Sequence, residues 1–514
     1  MLMKILGILL FFLLNFIMVS CGKKITTGPS DQEMAKLFSS NATQLKVAMI
    51  ADSQKQTTLR AAREKKVVFN NKLSDLIMED AAFRPPVTSL VSPASLEYFL
   101  GKSINENPDF IIFLGDAANN GCVDEISDII KTSKEFRNTH KVPIYFIIGN
   151  HDHTALGSSD MYRHRSILCG GDENMLSKMD VIKIFSDFNK GNETLANNKF
   201  SYHDNFIENE ALVRSSCGSR PSADDPLVGS PGEHSRKGCF LAGVIHSEDK
   251  KTNMVLLDTS DYNDLPFSQF DISYFYSKYG NISRTQMEWI DSTVRNIFPD
   301  SALILAGHYD LPHVKNSALN NLANYDFINK NKSIAWLTAH THFSDVDPIK
   351  ENISIKSTET GSNITLSEIN VGSIIDYQMH TLIVPIKNEF QIGSLESGES
   401  SDGYKKIIEN DDKILFNESG TGLCSQIENE INAFSIDNLP SNHSYKPVMG
   451  KTSGPILFGV TKDYRNLNFN ILDDIDATEL NYHAYLQEKV AQGIDSLLVR
   501  VCLAHIASVH EKID

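Results

Sequence analysis

The chain has 514 residues, of which 48 are lysine or arginine and 65 are aspartate or glutamate, so its formal net charge is -17. A chain of this length has room for more than one large core, and we expect one big domain with a smaller appendage. The acidic balance offers no long-range attraction to duplex DNA. This disfavours an extended nucleic acid as a partner, but it leaves open a short phosphoester bound in a local pocket.

The N-terminal residues 1–20 have the pattern of a signal peptide. Lys4 provides a positive start, the stretch Ile5 to Val19 is almost wholly apolar, and Cys21 follows it. This ending resembles a bacterial lipobox, with a methionine where leucine is typical. Lipidation of Cys21 would anchor an exported lipoprotein to a membrane, on the periplasmic or cell-surface side, with residues 21–45 as a polar tether. The alternatives are an ordinary secretory signal and a retained anchor, although about 15 apolar residues are few for a membrane span, which needs about 20.

The chain contains seven cysteines. If Cys21 is lipidated, six remain, and an even number in an exported protein favours disulfides. Sequence alone cannot determine their pairing, but proximity and order along the chain suggest Cys122–Cys169, Cys217–Cys239 and Cys424–Cys502. Free, buried thiols are the alternative.

Apolar, strand-like segments alternate with segments of helical periodicity, which predicts an α/β fold with a buried sheet. The predicted strands are 47–50, 110–114, 144–148, 240–245, 254–257, 302–305, 334–337 and 364–371. The predicted helices include 123–136 and 284–297. In such sheets, ligands usually bind at the loops that follow the carboxyl ends of the strands.

Two stretches interrupt this pattern. Residues 154–237 are rich in asparagine, serine, glycine and aspartate, and we interpret them as a long insertion beside the site, either a lid or substrate wall or a surface loop. Residues 396–403 are rich in serine, glycine and acidic residues and resemble a linker. The main domain would therefore cover residues 46–395. A small mixed α/β module at 396–514 would follow, ending in a helix from Glu479 to about His510.

Five of the apolar segments end in residues that bind metals or move protons. These clusters are Asp52-Ser53-Gln54, Gly115-Asp116, Gly149-Asn150-His151-Asp152, Gly307-His308 and His340-Thr341-His342. Singly, each one is also typical of an ordinary polar turn or helix cap. Together they offer nitrogen and oxygen ligands, a mixture that suits Mn, Fe, Zn or Co better than Ca or Mg. His340 and His342 are two residues apart and can point to the same side of an extended segment, so neighbouring ions can each take one imidazole.

In this order the five clusters resemble those of the calcineurin-like metallophosphoesterases, over roughly residues 46–395. The resemblance implies a four-layer α/β/β/α sandwich with a large insertion, and a centre of two divalent metal ions at the strand ends. The implied ligands of the first metal are Asp52, Gln54, Asp116 and His342. The implied ligands of the second metal are Asp116, Asn150, His308 and His340, so that Asp116 bridges the two ions.

The resemblance also implies a reaction, the hydrolysis of a small phosphoester, either a monoester or a diester, by a hydroxide that bridges the two metals. His151 would be the catalytic acid that protonates the leaving oxygen or stabilises charge on the phosphoryl group, with Asp152 behind it. A carboxylate suits the bridging position of Asp116 because an anionic oxygen reaches two ions and lowers their repulsion. The chain is therefore expected to be a metal-dependent phosphatase or phosphodiesterase of the cell envelope.

Three residues depart from the pattern of that family. Gln54 stands where histidine is usual, Asn119 where aspartate is usual and Ala339 where glycine is usual. The amide oxygen of Gln54 is a neutral and weaker ligand than imidazole, although some similar relatives also carry glutamine there. An alternative function is therefore a degenerate domain retained as an envelope binding protein. A nuclease function is weakened by the acidic charge and by the lack of a basic stripe in the sequence.

Several further histidines lie outside these clusters. We expect five of them at the surface, namely His153, His164, His234, His246 and His313. Two of these, His153 and His313, adjoin the clusters and could contact a substrate. The sequence does not identify that substrate, because its selection depends on walls that cannot be placed from sequence.

Overall fold

The computed structural model describes residues 44–55, 88–153, 169, 171–196, 198–217, 238–247, 252–261, 279–297, 302–329, 333–342, 352–375, 381–387, 405–406, 422–432 and 482–503. The predicted signal peptide, the lipidated Cys21 and nearly all of the tether lie outside these residues, so they stay predictions. Among the helices that are described, none combines the length and the apolar character needed to cross a bilayer.

Two β-sheets form the framework of the described residues. Their strands are β1 (Gln44–Ile50), β2 (Phe110–Phe113), β3 (Ile144–Phe146), β4 (Phe200–Asp204), β5 (Gly243–Ser247), β6 (Thr252–Leu256), β7 (Ala302–Ala306), β8 (Ser333–Thr338), β9 (Asn352–Lys356), β10 (Asn363–Asn370), β11 (Leu382–Lys387) and β12 (Lys405–Lys406). The first sheet has the order β12-β11-β1-β2-β3, and the second has the order β4-β5-β6-β7-β8-β10-β9. Strands β1 to β3 are parallel, as are β6, β7, β8 and β10. The carboxyl ends of these parallel strands therefore lie together at one edge of each sheet.

Helices flank both sheets. They are α1 (Thr88–Asn105), α2 (Val123–His140), α3 (Lys178–Lys190), α4 (Asn205–Glu208), α5 (Glu210–Cys217), α6 (Arg284–Ile297), α7 (Asn316–Leu322), α8 (Asp326–Asn329) and α9 (Leu423–Asn432), with further helical residues at 482–491 and 496–503. Local sequence explains where they begin and end. At the start of α3, Asp180 N donates to the Ser177 hydroxyl at 3.3 Å and Ser177 N donates to the Asp180 carboxylate at 2.9 Å, a reciprocal capping box. Helix α2 ends at His140, and the following C-cap residue Lys141 has a left-handed φ of 60°.

Three apolar clusters hold these layers together. One lies between the two sheets and contains Ile112 from the first and Met254 from the second. Because neighbouring side chains on a strand point to opposite faces, Phe113 instead packs outward against helices α1 to α3, beside Phe185. On the outer face of the second sheet, Trp336 packs against α6, α7 and α8. The mixed α/β fold predicted from the sequence is confirmed.

Residues 171–217 belong to this core, although the sequence placed them in an insertion. Helix α3 packs on the first sheet, and β4 is an edge strand of the second. Two of the asparagines that made the segment resemble a loop bond to the free edge of β3. Asn189 accepts from Phe146 N at 2.8 Å and donates to Phe146 O at 3.0 Å. Asn192 makes the same pair of bonds with Ile144, at 3.1 and 2.6 Å, so both residues satisfy main-chain groups that an edge strand otherwise leaves unpaired.

The described residues beyond 395 share the core of the first sheet. Strand β12 pairs with β11, and Ile427, Tyr482 and Val499 join the apolar cluster of helices α1 to α3. Within 482–503, the predicted C-terminal helix is two helical runs separated by a turn at Gly493, where φ is 84°. The prediction of one continuous helix is wrong, because a left-handed glycine ends the first run. The domain boundary at 395 stays a prediction.

All three cysteine pairs suggested by order along the chain are disulfides in the structure. The Cα–Cα separations are 5.3 Å for Cys122–Cys169, 4.7 Å for Cys217–Cys239 and 4.9 Å for Cys424–Cys502. These separations are normal for disulfides. The first bridge fixes the start of α2, directly after the loop that carries Asn119.

Candidate metal centre

The predicted site residues lie in loops that follow the carboxyl ends of parallel strands. Strands β1, β2 and β3 of the first sheet lead to the first three clusters, and strands β7 and β8 of the second sheet lead to the remaining two. Because the two sheets pack face to face, the five loops meet at one edge of the molecule. The structure brings all the predicted metal ligands together with the predicted acid, namely Asp52, Gln54, Asp116, Asn150, His151, His308, His340 and His342.

The first group of ligand atoms belongs to Asp52, Asp116 and His342, and these atoms all lie within 4.8 Å of one another. His342 Nε2 lies 3.3 Å from Asp52 Oδ1. Gln54 completes the group, because its Nε2 lies 3.2 Å from Asp116 Oδ2 and 3.1 Å from His342 Nε2. Rotation about the last side-chain bond exchanges the amide nitrogen and oxygen, so the oxygen of Gln54 reaches the same point.

The second group consists of Asp116, His308 and His340, again within 4.8 Å of one another. Its centre is His308 Nε2, which lies 3.2 Å from Asp116 Oδ2, 3.0 Å from Asn150 Oδ1 and 3.2 Å from His340 Nδ1. The other ring nitrogen of His308 donates to Leu114 O at 2.8 Å. That bond leaves Nε2 as the nitrogen turned towards the group, as in metal-binding histidines. Asp116 belongs to both groups.

Electrostatics favour positive charge between these side chains. Although burial opposes it, the neighbouring His308 and His151 hold the pKa of Asp116 well below its usual range. Against the effect of burial, the Asp116 carboxylate raises the pKa of His308 to about 9. Burial and the charge of His308 lower the pKa of His340. The pocket therefore attracts a cation, and its imidazoles cannot all hold protons at once.

The buried polar atoms of the first group provide a test of whether metal ions fit. Both carboxylate oxygens of Asp52 and the Oε1 atom of Gln54 are buried and accept no hydrogen bond. Burying a carboxylate without hydrogen bonds costs several kcal/mol unless a cation is bound to it. With an anionic oxygen shared by the two groups and an imidazole in each, the residues fit two divalent ions.

Backbone strain is concentrated in the same residues. Within the described part of the chain, seven non-glycine residues have positive φ, and five of them are predicted ligands: Asp52 (49°), Gln54 (31°), Asp116 (51°), His340 (71°) and His342 (56°). Such conformations are uncommon outside glycine and cluster at functional sites. These five residues follow strands β1, β2 and β8.

Two glycines allow the loops to approach each other. A Cβ atom at Gly149 would lie 2.1 Å from Asp116 Oδ1 and 2.3 Å from Asp116 N. A Cβ atom at Gly115, whose φ is 91°, would lie 2.8 Å from His308 Nδ1. Only glycine fits at these positions while the ligands keep their places.

His151 lies beside both groups without belonging to either. Its main-chain N donates to Asp116 Oδ1 at 2.8 Å, and its Nε2 lies 4.0 Å from Asp116 Oδ2, with 27% of the side chain exposed. Its Nδ1 lies 2.7 Å from the main-chain carbonyl of Asn119. The orienting contact is therefore made by the backbone, so the departure from aspartate at Asn119 does not remove it.

Asp152 ties two of the loops together. Its carboxylate accepts from the main-chain N of Asp116 at 3.1 Å, of Ala118 at 2.9 Å and of Gly149 at 2.8 Å. Burial, with a smaller contribution from the charge of Asp116, raises the pKa of Asp152 to about 7. Asp152 therefore holds the loops after β2 and β3 at a fixed distance, and these loops carry Asp116 and Asn150.

Of the five histidines expected at the surface, His164 and His234 lie outside the described residues, and the expectation is wrong for two of the other three. His153 is fully buried, with Nε2 3.4 Å from Ser260 Oγ, because it continues the buried turn after Asp152. His246 is buried on β5, where its ring stacks on that of His203. His313 is half-buried, with Nδ1 2.7 Å from Asp310 Oδ1 and its ring 5.7 Å from that of His340.

Sequence reasoning missed two residues that hold the ligand loops. Thr259 follows β6 and its hydroxyl accepts from the main chain at His308. Ser373 follows β10 and its hydroxyl donates to Asp52 O at 2.9 Å. The sequence did indicate the loop that carries Thr259, because Leu257-Asp258 is another apolar run that ends in an acidic residue.

Comparisons with known proteins bear on this site. Residues 73–228 match the sequence model of the calcineurin-like phosphoesterase family. Among solved structures, the chain is similar to a dimetal phosphatase from Danio rerio, at 11% identity and a TM-score of 0.32, covering 71% of this chain and 98% of that one. It is also similar to the purple acid phosphatase PPD1 from yellow lupin (Lupinus luteus) seeds, at 11% identity and a TM-score of 0.27, covering 71% of this chain and 54% of that one. No curated protein matches the chain.

Proposed function

We propose that the metal centre of this chain hydrolyses a small phosphoester, either a monoester or a diester, because residues 73–228 match the model of the calcineurin-like phosphoesterase family. Hydrolysis of phosphoric esters is the activity class of that family. The observation that carries the proposal is the carboxylate of Asp116, which belongs to two separate groups of ligand atoms. A single carboxylate shared in this way suits two neighbouring cations better than one.

The residues that would hold the ions follow from the two groups. Asp52, Gln54, Asp116 and His342 would hold one ion, and Asp116, Asn150, His308 and His340 would hold the other. Two such ions, which we propose to be Mn, Fe, Zn or Co, lower the pKa of a water and bind phosphoryl oxygens when present. The chain itself supplies the fixed ligand geometry, through the hydrogen bond of His308 to Leu114 and the three main-chain bonds of Asp152.

We assign proton transfer to His151. The carbonyl of Asn119 accepts from Nδ1, so Nε2 is the nitrogen turned towards the site, 4.0 Å from Asp116 Oδ2. A protonated imidazole there can donate to the leaving oxygen or bind a phosphoryl oxygen. The Asn119 carbonyl that orients the ring is a main-chain group, which does not titrate.

Export to the cell envelope is part of the same proposal. Three disulfides support it, since disulfides persist in oxidising compartments. Lipidation of Cys21 would hold the enzyme at a membrane, and its substrates would then be phosphoesters present outside the cytoplasm. Mass spectrometry of the mature N-terminus tests this directly: a diacyl or triacyl modification at Cys21 is expected, and an unmodified chain beginning elsewhere would contradict it.

A hydrolysis panel tests the function. The full chain is purified, loaded with Mn²⁺ and assayed on p-nitrophenyl phosphate, on its bis ester and on alkyl phosphates. His151→Ala should slow the alkyl esters about 100-fold or more. It should slow the p-nitrophenyl esters less, because their leaving group is stable as an anion and needs no proton. An equal loss of rate on every ester would instead show that His151 binds the phosphoryl oxygens and does not protonate the leaving group.

The exposed His140 on α2 provides the matched control, and His140→Ala should hydrolyse every ester at the wild-type rate. Wild-type rates for His151→Ala on all esters would overturn its role.

The alternative function, an envelope binding protein, is favoured by the neutral Gln54 in the first group. It would be supported by a chain that holds less than about one Mn²⁺ and hydrolyses none of the esters.

A further inference from the structure

The loop that follows β6, residues 257–261, contains no predicted ligand but contacts the backbone at His308, a predicted ligand. Strand β6 is parallel to β7, with Leu256 opposite Ala306, so the two strands end at the same edge. Strand β7 leads to His308, and the 257–261 loop therefore runs beside the chain that carries this ligand. Thr259 at its middle is fully buried.

Thr259 makes two hydrogen bonds to the backbone of the ligand loop. Its Oγ1 accepts from His308 N at 3.2 Å and from Tyr309 N at 3.1 Å. The contact also depends on shape, because a Cβ atom at Gly307 would lie 2.6 Å from the methyl group of Thr259. The hydroxyl thus fixes the main chain of His308, while Leu114 O fixes its ring at 2.8 Å.

The loop is itself held by a buried ion pair. Lys178 Nζ lies 3.0 Å from Asp258 Oδ2 and donates to Ser260 O at 2.8 Å. The other carboxylate oxygen of Asp258 accepts from Ser260 N at 3.0 Å and from Ser260 Oγ at 2.9 Å. Gln286 on α6 accepts from Asp258 N at 2.9 Å and donates to Asp258 O at 3.0 Å. Both residues next to Thr259 are therefore held in place, so its hydroxyl is presented from a rigid loop.

We propose that Thr259 is a positioning residue for His308, and that its hydroxyl sets the affinity of the ion shared by His308, Asn150 and His340. The inference rests on the proposed two-metal centre. Its physical basis is that a ligand fixed at both backbone and ring loses little conformational entropy when an ion binds. Removal of an outer hydrogen bond of this kind typically costs about 10- to 100-fold in metal affinity.

The test is a calorimetric titration of the metal-stripped full chain with Mn²⁺, without any phosphoester. Thr259→Val keeps the shape of the side chain but removes the acceptor, and Thr259→Ser keeps the acceptor. We expect Thr259→Val to weaken one of the two binding events about 10-fold or more and to leave the other within about twofold, with affinity restored in Thr259→Ser. The variants His308→Ala and His342→Ala identify which event belongs to which ion.

Ser186→Ala separates positioning from general destabilisation. The Ser186 hydroxyl donates to Asp204 Oδ2 at 2.7 Å, a buried bond at the edge of the second sheet that contacts no ligand. This variant should lower the unfolding temperature without changing either affinity. Thr259→Val with both Mn²⁺ affinities unchanged would overturn the inference, and so would a wild-type chain that binds no Mn²⁺. A chain that binds two Mn²⁺ ions but hydrolyses no ester would refute only the proposed function.

Discussion

Gly149→Ala adds one methyl group at the point where the loops after β2 and β3 touch. The new Cβ would lie 2.1 Å from Asp116 Oδ1, whereas real Cβ contacts are essentially never below 3.0 Å. The carboxylate of Asp116 must therefore move by about 0.9 Å, the difference between those two distances. It cannot turn away freely, because Oδ1 accepts from His151 N at 2.8 Å and Oδ2 faces His308 and Gln54 at 3.2 Å.

A displacement of this size is large on the scale of metal coordination. Carboxylate oxygens bind such ions at about 2.0–2.2 Å, so an Asp116 carboxylate displaced by about 0.9 Å would be a poorer ligand for either ion. A misplacement of about 1 Å in an active site costs on the order of 100-fold in rate. We expect Gly149→Ala to lose about 100-fold in kcat/KM and to bind Mn²⁺ more weakly in both binding events, because both share Asp116.

The assay combines Mn²⁺ calorimetry with hydrolysis of the bis(p-nitrophenyl) ester. Gly101→Ala is the matched control, because a Cβ atom at this helical glycine meets nothing within 4 Å. That variant should keep wild-type metal binding and gain about 0.5–1 kcal/mol of unfolding free energy. Gly149→Ala with Mn²⁺ affinities and kcat/KM within about twofold of wild type would refute the argument from close approach.

Two further predictions concern neighbouring residues. Gln54→His should raise the affinity for the ion shared with Asp52 and His342 about 10-fold, or about 1.4 kcal/mol, because imidazole is a stronger ligand than a neutral amide oxygen. An unchanged affinity in calorimetry would show that Gln54 is no ligand. Burial and the charge of Asp310 raise the pKa of Glu368 to about 7. The folded chain therefore holds this proton more tightly than the unfolded chain, and its free energy of unfolding falls as pH rises from about 4 to 7, by up to about 1.4 kcal/mol per pH unit. Glu368→Gln should reduce that slope in urea unfolding of the metal-stripped chain, and identical slopes for both proteins would contradict the assignment.

The grouping of these side chains could be predicted from sequence, because metal coordination requires particular residue types. Each follows an apolar strand, so the strand pattern also indicates that they share one edge of the fold. Contacts made by the main chain do not require a particular residue type, so the sequence does not reveal them. Any residue at position 119 offers a carbonyl to His151, so the identity of Asn119 said nothing about how the ring is held.

Residues that act through distant partners were also beyond sequence reasoning. Asn189 and Asn192 are residue types that are common in surface loops. Only the position of α3 beside β3 shows that they bond to Phe146 and Ile144. Asp258 carried the same signal as the ligands, an acidic residue at a strand end. Its partner Lys178 lies 80 residues earlier in the chain, and a pairing over that distance has no periodicity or spacing to reveal it.

The left-handed conformations of the five ligands imply a conflict between stability and activity. At about 1–3 kcal/mol each, they together cost on the order of the whole folding free energy of a typical domain. Glycine at any of these positions would relax the backbone and delete a ligand, so the substitutions that best stabilise the metal-free fold are those that destroy its chemistry. Selection for stability alone would therefore replace these side chains first.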